Sequence, residues 1–162
     1  MISILQADSS HYKGITDIYN EAIQKTTATF DTNIKTVSEM QNWIQSHTDK
    51  YPIIVAMKNN SIAGWASISP WSDRCAYSDT AENSVYVKDG FKGIGIGKIL
   101  LQSIINAARE NGVHTIIARI TQGNPVSVHL HISCGFVPIG EMKEVGRKFG
   151  KLLDVGLYQI IL

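Results

Sequence analysis

The segment best equipped for chemistry runs Ser84-Val85-Tyr86-Val87-Lys88-Asp89-Gly90-Phe91-Lys92-Gly93-Ile94-Gly95-Ile96-Gly97-Lys98. A strand-like run passes through Gly90, Gly93, Gly95 and Gly97 into a long amphipathic stretch. Glycines placed there let the backbone turn tightly and bring bare amides up to a ligand. A helix start adds unpaired N–H groups and partial positive charge, so the combination predicts a phosphate seat. Two well-known phosphate loops are excluded by spacing. A Walker A loop needs glycine at position 92 and Ser or Thr at 99, where this chain has Lys92 and Ile99. A G-x-G-x-x-G dinucleotide loop fails from Gly93, whose third glycine position is Lys98, and from Gly95, where it is Leu100. A glycine-rich turn without a ligand is the plain alternative.

The other reactive side chains are scattered. His129 and His131 lie two apart on an expected helix and do not share a face. His131 with Cys134 offers two ligands, too few for a closed zinc site, so no metal is expected. Cys75 and Cys134 lack C-x-x-C spacing, which suits isolated thiols in a reducing cytoplasm. Cys134 as a nucleophile would make a ping-pong enzyme, but its place beside Gly135-Phe136 reads as a buried helix end. Arg74 shares an irregular stretch with Trp71 and Tyr77 and is the local guanidinium suited to grip a carboxylate. A plain surface arginine is the competing reading. Trp43 and Trp65 fall in periodic apolar patterns and read as core.

The elements that must position these groups are legible as patterns. Ile2 to Gln6 is a first strand, and Ile15, Ile18, Tyr19, Ala22 and Ile23 form one helical stripe. Thr36-Val37-Ser38-Glu39 is a capping-box signature opening a second helix with Met40, Trp43 and Ile44. Ile53 to Met57 and Ile62 to Ile68 flank a polar turn as a hairpin, and Ala81 to Lys88 is the next strand. Leu100, Leu101, Ile104, Ile105 and Ala108 define a helix ending at Asn111-Gly112. A strand from His114 to Ile120 follows, then a helix from Pro125 to Cys134. Strands near Phe136 to Glu141 and Leu153 to Leu162 close the chain. This order predicts an α/β fold with a mixed sheet and helices packed on its faces, in a single domain spanning 1–162.

Bulk composition narrows the function. A chain of 162 residues with 44% hydrophobic and 18% charged residues is long enough for one real core. Its net charge of +1 gives no general field for a polyanion, so no nucleic-acid partner is expected. No apolar run approaches the roughly 18 residues of a membrane helix, and the start lacks a signal-peptide pattern. Neither a membrane partner nor export is expected.

Lys92-x-x-Gly95-x-Gly97 resembles the pyrophosphate loop of the GNAT superfamily of acetyl-CoA-dependent N-acetyltransferases, with Lys92 where Arg or Gln is usual. Asn124-Pro125-Val126-Ser127, His131 and Cys134-Gly135-Phe136 resemble that superfamily's second acetyl-CoA-contacting helix. The similarity extends along nearly the whole chain to the phosphinothricin / methionine sulfone and sulfoximine acetyltransferases. It is carried by Ile18-Tyr19-Asn20, Thr29-Phe30, Tyr51-Pro52, Pro70-Trp71, Thr80-Ala81-Glu82, Ser84-Val85-Tyr86-Val87, Gly146-x-x-Phe149-Gly150 and Leu153-Asp154.

The resemblance implies a mostly antiparallel GNAT-like sheet, acetyl-CoA as cosubstrate and a homodimer acting on a small amino-acid substrate. It implies cofactor contacts from Val85, Tyr86, Val87, Gly93, Ile94, Gly95, Ile96, Gly97 and Lys98, and from Asn124, Ser127 and Ser133. Acceptor contacts would come from Phe30, Trp71, Arg74, Cys75, Ala76 and Tyr77. Glu82 becomes the expected proton acceptor and His131, at the usual acid position, the expected proton donor to the leaving thiolate. Glu82 as an ion-paired strand residue and His131 as a packed, hydrogen-bonded one are the bland alternatives. An α-amino group has a pKa of about 8, so roughly a tenth is neutral at pH 7 and its base is asked for little. A peptide or lysine acceptor, and an acetyl-CoA sensor without turnover, are the competing functions.

Overall fold

The computed structural model describes residues 1–162. Strand β1 (Ile2–Gln6) leads through a 3-10 turn (Ser9–His11) into helix α1 (Tyr12–Lys25). Helix α2 (Val37–Gln45) opens in the expected capping box. Thr36 Oγ1 accepts from the Glu39 amide at 3.1 Å, and a Glu39 carboxylate oxygen accepts from the Thr36 amide at 2.7 Å. Strands β2 (Ile53–Lys58) and β3 (Ser61–Pro70) form a hairpin around Asn59-Asn60. Both asparagines have positive φ, 50° and 60°, as a two-residue turn of this hand requires. The chain continues through β4 (Thr80–Val87), α3 (Ile96–Glu110), β5 (Thr115–Thr121), α4 (Pro125–Ser133), β6 (Val137–Lys148) and β7 (Lys151–Ile161).

The strands make one seven-stranded sheet in the order β1-β2-β3-β4-β5-β7-β6. Every neighbouring pair is antiparallel except β4 and β5. Side chains alternate between two faces. Ile54 and Ala56 of β2, with Ala63 and Ala66 of β3, face the fully buried stripe Leu100, Leu101 and Ile104 of α3. Ile53, Val55 and Trp65 face α1 and α2 through Ile15, Ile18, Met40 and Ile44. The predicted α/β class and element order hold, and no helix is long and apolar enough to cross a membrane.

The C-terminal hairpin departs from expectation. Strand β7 falls close to the expected Leu153 to Leu162, but β6 runs past the expected Glu141 as far as Lys148 and meets β7 through a turn at Phe149-Gly150, with φ of 50° and 74°. Strand β6 is exposed along nearly its whole length and its pairing slips between Pro138 and Gly140 and between Met142 and Gly146. A strand with no face to bury and broken register leaves no period-two signal in its sequence. The apolar tail Leu157 to Ile161 belongs to β7, an inner strand between β5 and β6.

Candidate active site

The parallel pair β4–β5 supplies the site's frame. Its ladder contains only Thr80↔Thr115, Ala81↔Ile116 and Glu82↔Ile117. Beyond Glu82, β4 continues to Val87 along β3, while β5 continues to Thr121 along β7. The two strands therefore part at Glu82, and the edges from Asn83 to Val87 and from Ala118 to Thr121 have no strand partner across the gap. Unpaired backbone amides and carbonyls at such an edge need a partner, and an extended ligand can supply one.

The glycine loop lies at the far end of β4. Gly90, Gly93 and Gly95 have φ of 86°, 78° and 88°, a region costly for side-chain-bearing residues. A Cβ built on any of the three meets nothing within 4 Å, so the loop's surface is bare. Gly95 caps α3 with no side chain bonded to the first-turn amides, which stay free for an anion. Ile96, 1% exposed, anchors that turn in the core, so only its backbone faces outward chemistry. A Cβ on Gly97 would come 3.3 Å from Leu130 and 3.7 Å from Val87, where α3, α4 and β4 approach closely. Ile94 and Lys98 are exposed. Lys92 forms an ion pair with Asp89, which also accepts from Lys25 at 3.3 Å, so its ammonium is engaged beside the loop.

Helix α4 borders the gap on the α3 face. Asn124 caps it, accepting from the Ser127 amide at 3.1 Å, with Pro125 at the first turn. Ser133 Oγ donates to the Leu130 carbonyl at 2.8 Å. His131 is 5% exposed and stacks edge-on against Phe136, with centroids 5.0 Å apart. The Ser127 carbonyl can only accept, so His131 Nδ1 carries the proton and donates to it at 2.8 Å. Asn83 Nδ2 can only donate, so Nε2 accepts from it at 2.9 Å. The ring is neutral in this arrangement. Burial pushes its pKa down, with the Ser127 hydrogen bond pulling weakly the other way. These contacts are those the packed, hydrogen-bonded alternative for His131 would make. Asn83 Oδ1 is buried without a partner. Cys134 ends the helix and packs against the main core.

Glu82 points to the opposite face. Arg119, two residues past Ile117 on β5, reaches back across the parting strands to it. Arg119 Nε donates to Oε1 at 2.6 Å and Nη2 to Oε2 at 2.5 Å. The guanidinium carbon lies 5.6 Å from the centre of the Trp71 ring. A carboxylate offers about four acceptor positions, so roughly half of Glu82's capacity is left for an amine or water.

On the same face, Tyr19, Met40, Trp43, Trp65, Ser84 and Tyr86 line a cavity of about 300 Å³. Burial pushes the Tyr86 phenol up to about 12 and that of Tyr19 further, so both stay protonated. Trp65 is core as expected, at 2% exposed, yet one edge also lines this cavity.

The remaining expected acceptor residues are dispersed. Phe30 packs on Gly146 of β6, its loop held by Lys148 Nζ donating to the Thr29 carbonyl at 2.7 Å. Trp71 joins Glu82 through Arg119. Cys75–Tyr77 form an exposed 3-10 turn preceded by Arg74 in extended conformation, and Arg74 is exposed and makes no ion pair. Arg119 and Asn83 are the two site residues that sequence reasoning missed. Their partners lie 37 and 48 residues away, a separation with no local signature.

Known proteins are similar to this chain in sequence and in fold. The chain is 38% identical over 162 residues to an L-methionine sulfoximine/L-methionine sulfone acetyltransferase of Pseudomonas aeruginosa, covering 99% of this chain and 94% of that protein. It is 37% identical over 151 residues to a phosphinothricin N-acetyltransferase of Streptomyces coelicolor, covering 91% and 88%. The solved structure of a Salmonella typhimurium acetyltransferase with its cofactor acetyl-CoA superposes with a TM-score of 0.97 at 34% identity, covering 100% of this chain and 94% of that one. The acetyltransferase (GNAT) family model matches residues 15–136, across both the glycine loop and α4, and the chain belongs to that family.

Proposed function

We propose that this protein transfers the acetyl group of acetyl-CoA directly to the α-amino group of a small polar amino acid or analogue. Methionine sulfone, methionine sulfoximine and phosphinothricin are the types its relatives suggest. One observation carries the reading: β4 and β5 part at Glu82, with a bare amide loop at one end of the gap and a carboxylate at its apex. The two free thiols suit a cytoplasmic setting.

The residues present fit the cosubstrate. The exposed amides from Gly93 to Lys98 would hold the pyrophosphate, and the unpaired edge of Val85, Tyr86 and Val87 the pantetheine amides. Asn124, Ser127 and Ser133 would contribute from α4, and the orphaned Asn83 Oδ1 is an acceptor awaiting a donor. Bound there, acetyl-CoA supplies an activated acetyl thioester.

Glu82 accepts the amine's proton, directly or through a water, with Arg119 fixing its rotamer. His131 holds Asn83, and its own proton-donor role would require a different protonation state. Trp71 and the Arg74–Tyr77 turn border the acceptor, and Phe30 closes the side toward β6. Val137, Ile139, Val145, Phe149 and Leu152 stand exposed on the β6–β7 hairpin, an apolar surface suited to a homodimer.

The test is acetyl-CoA consumption across a panel of amino acids and analogues, with a peptide amine as control. Turnover of a free amino acid supports the assignment. Turnover of the peptide alone makes the protein a peptide acetyltransferase, and acetyl-CoA binding without turnover makes it a sensor.

A further inference from the structure

We propose that Arg119 receives the α-carboxylate of the acceptor, forming with Glu82 a charge couple that matches an amino-acid zwitterion. The inference rests on the amino-acid reading above and names the group that would select free amino acids over peptides and simple amines.

The geometry begins with the sheet. Glu82 occupies the last paired rung of β4 and β5, and Arg119 lies two residues beyond its partner Ile117 on the same face. The ion pair therefore spans the mouth of the gap, where an acetyl group and an amine must meet. Only one edge of the guanidinium is spent on Glu82, the Nε–Nη2 edge. A guanidinium carries five N–H donors in a planar fork, and Nη1 makes no hydrogen bond in the structure. The Nη1–Nη2 edge is thus free for a second carboxylate, which it can take through two parallel hydrogen bonds. Trp71 lies beside the guanidinium, its ring centre 5.6 Å from the guanidinium carbon. The side chains of Arg119 and Glu82 are 51% and 23% exposed, so a ligand can reach both.

The spacing suits an α-amino acid. Two hydrogen bonds leaving Nη2 about 120° apart place a bound carboxylate oxygen about 4.5 Å from the Glu82 oxygen. The α-nitrogen of an amino acid lies roughly 2.8 Å from its own carboxylate oxygen, so it can close that span with one hydrogen bond to Glu82. The substrate's ammonium meets the carboxylate of the couple and its carboxylate meets the guanidinium. A peptide amine or a decarboxylated amine finds only half of this receptor. Arg74, on an exposed turn without an ion pair, has no comparable support.

Steady-state kinetics would compare methionine sulfone with its decarboxylated counterpart, 3-(methylsulfonyl)propylamine, in four proteins: wild type, Arg119→Met, Arg119→Lys and Arg74→Ala. Arg119→Met should lower kcat/KM for both compounds through the loss of Glu82's positioning, but for the amino acid about tenfold or more beyond the loss on the amine, the excess falling on KM. Arg119→Lys should recover part of the loss, as a point charge without the fork. Calorimetric titration of methionine sulfone into the protein with coenzyme A should show the same loss, while unchanged acetyl-CoA binding shows that the variant is folded. Equal loss on both compounds would mean that Arg119 only positions Glu82, and the proposal falls. A loss that follows Arg74→Ala instead of Arg119→Met also overturns it. Wild-type turnover of peptides but of no free amino acid removes the amino-acid reading and this receptor together, an outcome distinct from either of the others.

Discussion

Where β4 and β5 part, two consecutive residues point to opposite faces of the sheet and find partners of different kinds. Glu82 meets Arg119 in a partly exposed ion pair that leaves acceptor positions and one guanidinium edge unused. Asn83 meets His131 in a buried pair in which both ring nitrogens are engaged. Both pairs tie neighbouring elements together at the same point. Only the first has lone pairs and solvent access with which to take a proton from an incoming amine. A histidine with both ring nitrogens engaged and no solvent access holds shape, whereas a carboxylate with accessible lone pairs to spare can also take part in a reaction.

The sharpest way to break this comparison is Glu82→Gln. It keeps the side chain's size and removes the proton acceptor, so kcat should fall about 100-fold or more. Calorimetry should show acetyl-CoA affinity within about twofold of wild type, because the amide loop is distant along β4. A kcat within about threefold of wild type across pH 6–9 would make Glu82 purely structural and require another base.

Gly95→Val tests the other end of the gap. Its φ of 88° strains any side-chain-bearing residue, by roughly 1–2 kcal/mol. A Cβ there would meet no protein atom within 4 Å, so apart from backbone strain the added bulk points into open space where a ligand would lie over the loop. Acetyl-CoA affinity should drop about tenfold or more, with kcat/KM following, since the first-turn amides are covered. Gly95→Ala separates strain from blockage, being strained alike but smaller. Unchanged affinity in Gly95→Val would remove the loop from the cofactor site.

These two positions also mark how far the sequence could be read. The loop at Gly95 was legible because its geometry is local: a strand, a glycine run and an amphipathic helix adjoin in the chain. So were the capping box at Thr36 and Glu39 and the stripe of α3, each set by contacts three or four residues apart. The ion-paired alternative for Glu82 and the packed alternative for His131 were both recognisable as possibilities. Their partners were not. Arg119 interrupts an otherwise apolar strand and Asn83 follows Glu82 in a polar stretch; the parallel register of β4 and β5 brings Arg119 to Glu82, and the packing of α4 brings His131 to Asn83. The second half of β6, from Met142 to Lys148, escaped for the opposite reason, since an exposed edge strand needs no apolar alternation.

His131→Phe probes the buried pair. Losing Nε2 leaves the Asn83 amide without its acceptor, a cost of about 1–3 kcal/mol. In a domain of this size each kcal/mol lowers Tm by about 2–4 °C. Phenylalanine roughly preserves ring volume, so kcat should stay within about threefold once the protein is folded. A large loss of kcat at unchanged Tm would reverse the comparison and restore His131 as the acid.

The smallest effect is the most diagnostic. Burial holds the folded-state pKa of His131 below its ordinary 6.5, and that of His47 likewise, each partly opposed by a hydrogen bond to a backbone carbonyl. As pH falls past 6.5 the unfolded chain takes up these protons before the folded one does. Stability then rises with pH through this window. His131's contribution is complete above about pH 6.5 and is lost as pH falls through the folded-state value. Comparing wild type with His131→Phe cancels His47, which both proteins retain. Urea midpoints at pH 7.5 and 5.5 should show the wild-type advantage shrinking on acidification. A donor to the leaving thiolate must instead hold a proton in the fold, with its pKa raised and Nε2–H turned toward the gap. That state would be stabilised relative to the unfolded chain at acid pH, and the wild-type advantage would grow between pH 7.5 and 5.5. Growth would therefore return the acid role to His131, whereas shrinkage would leave proton transfer to the Glu82 face.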